Sequence, residues 1–191
     1  MGYFANAGQI IIQFVFGALI LLIVLRVLLQ WVRANFYNPI CQFLYKATNP
    51  VLMPMRKVVP AWRNIDIAGI ALAWLVTALK LVLLYATLGQ TLGFLGLLVL
   101  ALADLVDFVL LLYIVLILAR VVISFVGADS YHPIVPLVLQ LTDPMLKPLR
   151  RVLPAISGID FSPMLALLIL TLARVLIAKP LLDVGLGLAL G

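Results

Sequence analysis

Lys80 and Arg174 are the residues best placed to do chemistry, each about 12–14 residues inside an otherwise apolar run. An ionised side chain near mid-membrane costs ~2.5–3.5 kcal/mol on insertion scales and is by default a functional candidate. Asp104 and Asp107, at the outer end of a third apolar run, are the acids able to neutralise these cations. A path for an ion or solute is the sharper reading. A structural ion pair, or snorkelling of the long side chains toward the interface, is the plainer one. Other chemistry is scarce. The chain has one histidine, His132, one cysteine, Cys41, and no glutamate. No nucleophile stands with a base, no glycine loop could cradle a phosphate, and no residues have metal-ligand spacing. A lone cysteine forms no intramolecular disulfide. His132 beside Pro133 could ligate haem, but its counterpart 94 residues earlier is Asn38, so symmetry supplies no second ligand. No catalytic residue, metal or cofactor is expected, and the chain does not read as an enzyme.

The elements around these charges are legible from composition. Of 191 residues, 66% are hydrophobic and 10% charged, and the mean hydropathy is +1.27. Soluble domains average about 25% charged residues, so lipid must solvate most of this chain. Apolar runs cover 7–32, 67–88, 105–126 and 163–182, each near the ~20 helical residues that a ~30 Å bilayer core requires. Residues 89–104 are too apolar for an ordinary loop and too short for a clear span; they extend a tilted helix or dip into the outer leaflet. Gly89 and Gly93 form a GxxxG there, a weak dimer signal at a turn. No Lys or Arg precedes Arg26, so the charged start of a cleavable signal is missing and the first run is expected to remain as an anchor.

A repeat organises the chain. TNPVLMPMRKVVPAWRNID (48–66) recurs as TDPMLKPLRRVLPAISGID (142–160), with ten of nineteen positions identical. The 94-residue offset also pairs Arg26 with Arg120, Tyr37 with Tyr131, Pro39 with Pro133, Thr77 with Thr171 and Lys80 with Arg174, without a gap. Each unit is helix, basic segment, helix: 7–88 and 105–182, joined by the apolar linker 89–104. Ten of the thirteen Lys and Arg lie in or beside the two basic segments. Short cytoplasmic loops carry that excess, so both segments should face the cytoplasm and both termini the outside. The halves then insert the same way round, as parallel repeats.

Asp143-Pro144 reads as the start of a short helix, an N-cap acid before a proline at the first position. At about 100° per residue, Met145, Leu149, Val152 and Leu153 gather opposite Lys147 and Arg151, with Arg150 on the basic side. In the first copy Val51, Leu52, Met55, Val58 and Val59 oppose Arg56 and Lys57. Such basic amphipathic helices lie in the headgroup plane, where each cation near an anionic surface contributes ~1 kcal/mol. Arg56, Lys57, Lys147, Arg150 and Arg151 are therefore the candidates for binding anionic lipid headgroups or a protein partner, against the alternative of merely pinning the topology. Direct nucleic-acid binding does not fit this placement, while a homo-oligomer does. Asp66 and Asp160 are expected to hold neighbouring arginines in ion pairs. Ser162 should cap the fourth span and Pro163 open it.

The apolar helix ending in Arg26 or Arg120, the Tyr37-Asn38-Pro39 or Tyr131-His132-Pro133 triplet, the motif T-[ND]-P-x-L-x-P-x-R-[KR]-x-[VL]-P and the closing [GN]-I-D together resemble the YggT/YlmG family in its two-copy proteobacterial form. The resemblance covers nearly all of the chain except its ends and residues 89–104. It implies a multi-pass protein of the bacterial inner membrane with no catalytic constellation to carry across. The links it brings are to osmotic or ion tolerance, to division and nucleoid distribution, and in chloroplasts to cofactor attachment in a cytochrome complex. The expected fold is all-α: four transmembrane helices in two parallel repeats, each with a short amphipathic interfacial helix. The expected role is a non-enzymatic scaffold or assembly factor, with a small ion or osmolyte transporter or channel component as the alternative.

Overall fold

A computed structural model describes residues 3–58, 66–127, 132–152 and 160–191. Within them the chain is helical: α1 (Tyr3–Trp31), α2 (Pro39–Val58), α3 (Ile67–Thr87), α4 (Phe94–Val126), α5 (Ile134–Val152), α6 (Ser162–Ala173), a π-helical turn (Arg174–Ala178) and α7 (Lys179–Leu190). Four helical stretches are long and apolar enough to cross a membrane: α1, α3, α4 and the continuous Ser162–Leu190. The protein is an all-α, multi-pass membrane protein. Motif residues Pro60, Arg63, Tyr131 and Pro154, with Val59, Leu153 and Ile159, lie outside the described residues.

The spans run longer than composition alone defines. Residues 94–104 form the first three turns of α4, so most of the segment 89–104 extends a helix. At 1.5 Å per residue, the 33 residues of α4 reach about 50 Å, and α3, α5, α6 and α7 all pack against it. Many large exposed side chains are apolar, among them Phe14, Ile10 and Leu176; hydrocarbon solvates them where water would not. The buried interior is built from small residues and branched aliphatics. Ile20, Ile23 and Val24 of α1 meet Ala68, Leu72, Ala73 and Val76 of α3, while Tyr113 and Ile117 of α4 meet Ala166 and Leu170 of α6 and Leu146 of α5. A third cluster joins the repeats, placing Cys41 and Leu44 of α2 with Leu137 and Leu141 of α5. Asn38 Nδ2 donates to Pro133 O at 2.7 Å beside it.

Glycine decides the tightest contact. A Cβ at Gly96 would stand 2.2 Å from Ala189 N, and one at Gly185 would stand 2.8 Å from Leu100 N. Gly93 N donates to Ala189 O at 2.9 Å. The small-residue signal thus belongs to α4 against α7 in one chain, through Gly93 and Gly96, with Gly89 left in the turn after α3.

Two local expectations are corrected. The amphipathic helices do not begin at the Asp143-Pro144 position. They begin at Pro39 and Ile134 and carry Pro50, Pro54, Pro144 and Pro148 inside. Proline removes a ladder donor within a helix; Pro50 and Pro144 free the carbonyls of Lys46 and Gln140, and tertiary donors reach the residue just before each. Arg26 Nη1 lies 3.4 Å from Tyr45 O and Arg120 Nη1 lies 3.3 Å from Leu139 O. The second correction concerns the start of α6. Ser162 is already its first residue, Phe161 occupies the N-cap position without a side-chain bond, and Asp160 Oδ1 accepts the Ser162 N–H at 2.9 Å.

The π turn has a sequence cause. Pro180 cannot donate to the carbonyl four residues back, and the preceding turn widens so that Lys179 N–H reaches Arg174 O, five residues away. The counterpart of Pro180 is Ala86, and α3 stays regular there.

Candidate functional site: two belts of paired charge

The first belt lies at the basic end of the spans, where α1 and α4 hand over to α2 and α5. Thr48 and Thr142 each donate a hydroxyl to the carbonyl four residues back, at 2.6 Å and 2.7 Å. This leaves the oxygen lone pairs for an arginine. Arg26 Nη1 donates to Thr48 Oγ1 at 2.5 Å and Arg120 Nη1 to Thr142 Oγ1 at 2.7 Å. Both contacts keep a 22-residue separation. Sequence reasoning passed over these threonines, although their place in the matched motif was the available signal.

Beyond the threonines the copies diverge. Arg120 Nη1 also donates to Asp143 Oδ1 at 2.7 Å, and Lys147 Nζ lies 3.1 Å from Asp143 Oδ2. The counterpart of Asp143 is Asn49, and Arg26 makes no ion pair among the described residues. The Arg26 guanidinium carbon sits 4.4 Å over the Tyr45 ring. Burial pushes the Asp143 carboxyl up, but hydrogen bonds from Arg120 and Lys147 outweigh it and hold the group below the usual carboxylate range.

Asp66 and Asp160 follow ten residues after Arg56 and Arg150. Arg56 Nη2 meets Asp66 Oδ2 at 2.6 Å, and Arg150 Nη2 meets Asp160 Oδ2 at 2.8 Å. Asp66 also caps α3, its Oδ1 accepting Gly69 N–H at 3.1 Å. An acid at a helix N-terminus is favoured by the exposed donors there. The Asp66 side chain has no exposed surface, so its charge demands a partner. For Asp160, burial raises the pKa, while hydrogen bonding from Ser162 and Arg150 lowers it further, for a net depression.

These pairs redistribute the five cations expected at the lipid face. Arg56 and Arg150 are held by acids, and Arg56 also donates to Gln30 Oε1 at 3.2 Å. Lys147 is paired within its helix yet 67% exposed. Lys57 and Arg151, counterparts at the 94-residue offset, are exposed in the last turns of α2 and α5. They are the two of the five that make no ion pair among the described residues.

The second belt lies within the spans. Lys80 Nζ meets Asp104 Oδ2 at 2.5 Å. Arg174 grips Asp107 with two parallel bonds, Nε to Oδ1 at 2.7 Å and Nη2 to Oδ2 at 2.8 Å. The Arg174 pair stays inside the second repeat. The equivalent position to Asp107 on α1 is Gln13, so Lys80 finds its acid across the repeat boundary, on α4. Lys80–Asp104 therefore ties α3 of one repeat to α4 of the other. Both cations end in ion pairs.

The CCB3/YggT family model matches the chain twice, over residues 5–87 and 99–181. An uncharacterized protein of Pseudomonas aeruginosa is 37% identical over 179 residues, covering 92% of this chain and 91% of its own length. The uncharacterized protein YggT of Escherichia coli is 37% identical over 167 residues, or 86% of each chain. An uncharacterized protein encoded in the proC 3' region of Vibrio alginolyticus is 38% identical over 159 residues, covering 82% of this chain and 85% of its own. No solved structure is significantly similar. With two copies of the family unit, and relatives matched over most of their length, the chain belongs to the CCB3/YggT family.

Proposed function

We propose that the protein is a non-enzymatic scaffold or assembly factor of the bacterial inner membrane. Its two amphipathic helices lie on the cytoplasmic leaflet and present Lys57 and Arg151 to anionic headgroups and to a protein partner docked beside them. The supporting observation is the division of charge: Lys80 and Arg174 are neutralised by Asp104 and Asp107, whereas Lys57 and Arg151 stand exposed without an ion pair among the described residues. A cation near an anionic surface contributes ~1 kcal/mol, so this pair biases α2 and α5 toward the headgroups. The osmotic and division links of the resemblance are compatible with such an organising role.

K57Q/R151Q should reduce energy transfer from the protein's tryptophans to labelled anionic lipid in reconstituted bilayers by several-fold, with thermal stability unchanged. R56Q/R150Q should instead lower stability, because Asp66 and Asp160 lose their cations. Liposomes holding the wild-type chain should leak ions and osmolytes no faster than protein-free ones. Flux that disappears in K80M at normal protein abundance would transfer the function to the rival transporter or channel reading.

The orientation has its own check. Reporter fusions after residue 65 and after 159 should report cytoplasm, and a C-terminal fusion should report periplasm, as the clustering of basic residues requires. A cytoplasmic C-terminus would overturn the parallel arrangement of the repeats.

A further inference from the structure

Arg26 is 5% exposed, and its Nε and Nη2 have no hydrogen-bond partner among the described residues. Arginine stays protonated in proteins, so burial cannot be relieved by losing the charge. The Tyr45 face 4.4 Å from the guanidinium carbon offers cation–π attraction, but the N–H groups point outward in the guanidinium plane and stacking leaves them unmet. Arg56 Nε is a third buried donor without a described partner. Both arginines share one acid region, that of Asp66, which is bonded to Arg56 and to the start of α3. The adjoining residues 59–65, VPAWRNI, contain no carboxylate and add Arg63.

The second repeat is an internal control. There Arg120 keeps the same threonine contact but also has Asp143, and Arg150 has Asp160. No Arg120 nitrogen is buried without a partner, and Arg150 is exposed. One substitution, Asn49 where the other copy has Asp143, removes a negative charge beside the more deeply buried arginine.

Arg26 also lines a small cavity of ≈ 20 Å³ with Gln30, Phe36, Cys41 and Tyr45 among its walls. A space of this size accepts a single water-sized body. Water could accept the N–H bonds but would leave Arg26 and Arg56 sharing the one charge of Asp66, and an incompletely paired buried charge is strongly unfavourable.

We propose that the Arg26 cavity binds one small anionic atom, supplying the counter-charge that Asp143 provides in the second repeat. The atom is either a free halide or a single non-bridging oxygen of a phospholipid headgroup reaching in from the interface. The site is independent of the scaffold role, since it stands on Arg26 and Asn49 and uses neither Lys57 nor Arg151.

The test uses the full chain in neutral detergent, at constant ionic strength, titrating chloride against gluconate. A parallel arm titrates phosphatidylglycerol against phosphatidylcholine in chloride-free buffer. A saturable rise in Tm of about 2–4 °C is expected in one arm. A response to chloride identifies a free ion, and a response to phosphatidylglycerol alone identifies a lipid oxygen. Asn49→Asp should abolish the response by supplying a resident carboxylate, while Asp143→Asn should create a second, similar response at Arg120. Neither substitution changes side-chain volume appreciably, so both variants should fold. Absence of any response in both arms, or an undiminished response in Asn49→Asp, would overturn the proposal and leave water as the partner of Arg26.

Discussion

Gly96→Val should be the most damaging single substitution in the described structure, costing about 3 kcal/mol or more and sharply lowering the yield of folded protein. The new Cβ would lie 2.2 Å from Ala189 N, 2.3 Å from Ala189 Cα and 2.4 Å from Leu188 C. All three are backbone atoms of α7, so no side-chain rotamer can relieve the clash. Overpacking commonly costs ~1–3 kcal/mol when side chains can yield, and here α7 itself must move. Helices in lipid gain little from hydrophobic burial against one another and rely on close packing. Displacing α7 would lengthen the Gly93 N–H to Ala189 O bond and lift Gly185 from Leu100. Gly17→Ala is the matched control, because a Cβ there meets nothing within 4 Å. It should leave stability unchanged or raise it by up to ~1 kcal/mol through helix propensity. Thermal melting in detergent would compare the two, and a normal melting curve for Gly96→Val would refute the tight α4–α7 contact.

Arg174→Met should cost about 3 kcal/mol, and Asp107→Asn in the same chain should recover most of it. Removing the guanidinium strands Asp107 within a span, where an ionised carboxylate costs ~2.5–3.5 kcal/mol at the helix centre. Breaking a desolvated pair costs ~3–5 kcal/mol for the same reason. The two side chains are 32% and 24% exposed, but exposure along a span is largely to hydrocarbon and gives little of the screening that weakens surface pairs. Arg174→Lys should fall between, because an ammonium cannot reproduce the two parallel bonds. A double-mutant cycle on folded yield and Tm measures the coupling. Additive losses would mean that the pair contributes nothing, and normal abundance with altered flux in Arg174→Met would favour a conduit.

The sequence by itself determined the membrane class, the duplication and the kinds of residue that meet. Those properties depend on composition and on a fixed 94-residue offset, both one-dimensional. Arg26, Arg120, Asp66 and Asp160 could be singled out because polar residues kept in register among apolar ones are conspicuous. Asp104 and Asp107 could be named as acids for Lys80 and Arg174 because the spans contain few others. Tertiary structure alone decided which acid serves which cation: Gln13 on α1 offers Lys80 no charge, so α3 reaches across to α4. It also carried α2 and α5 through their prolines, where a local rule starts a new helix at Asp143-Pro144. The α4–α7 contact was invisible for a similar reason: Gly96 and Gly185 are 89 residues apart, and glycine records only that something comes close. Arg26 and Arg120 differ in charge balance because Asn49 stands where the second copy has Asp143, a change of one atom type that burial in three dimensions makes consequential.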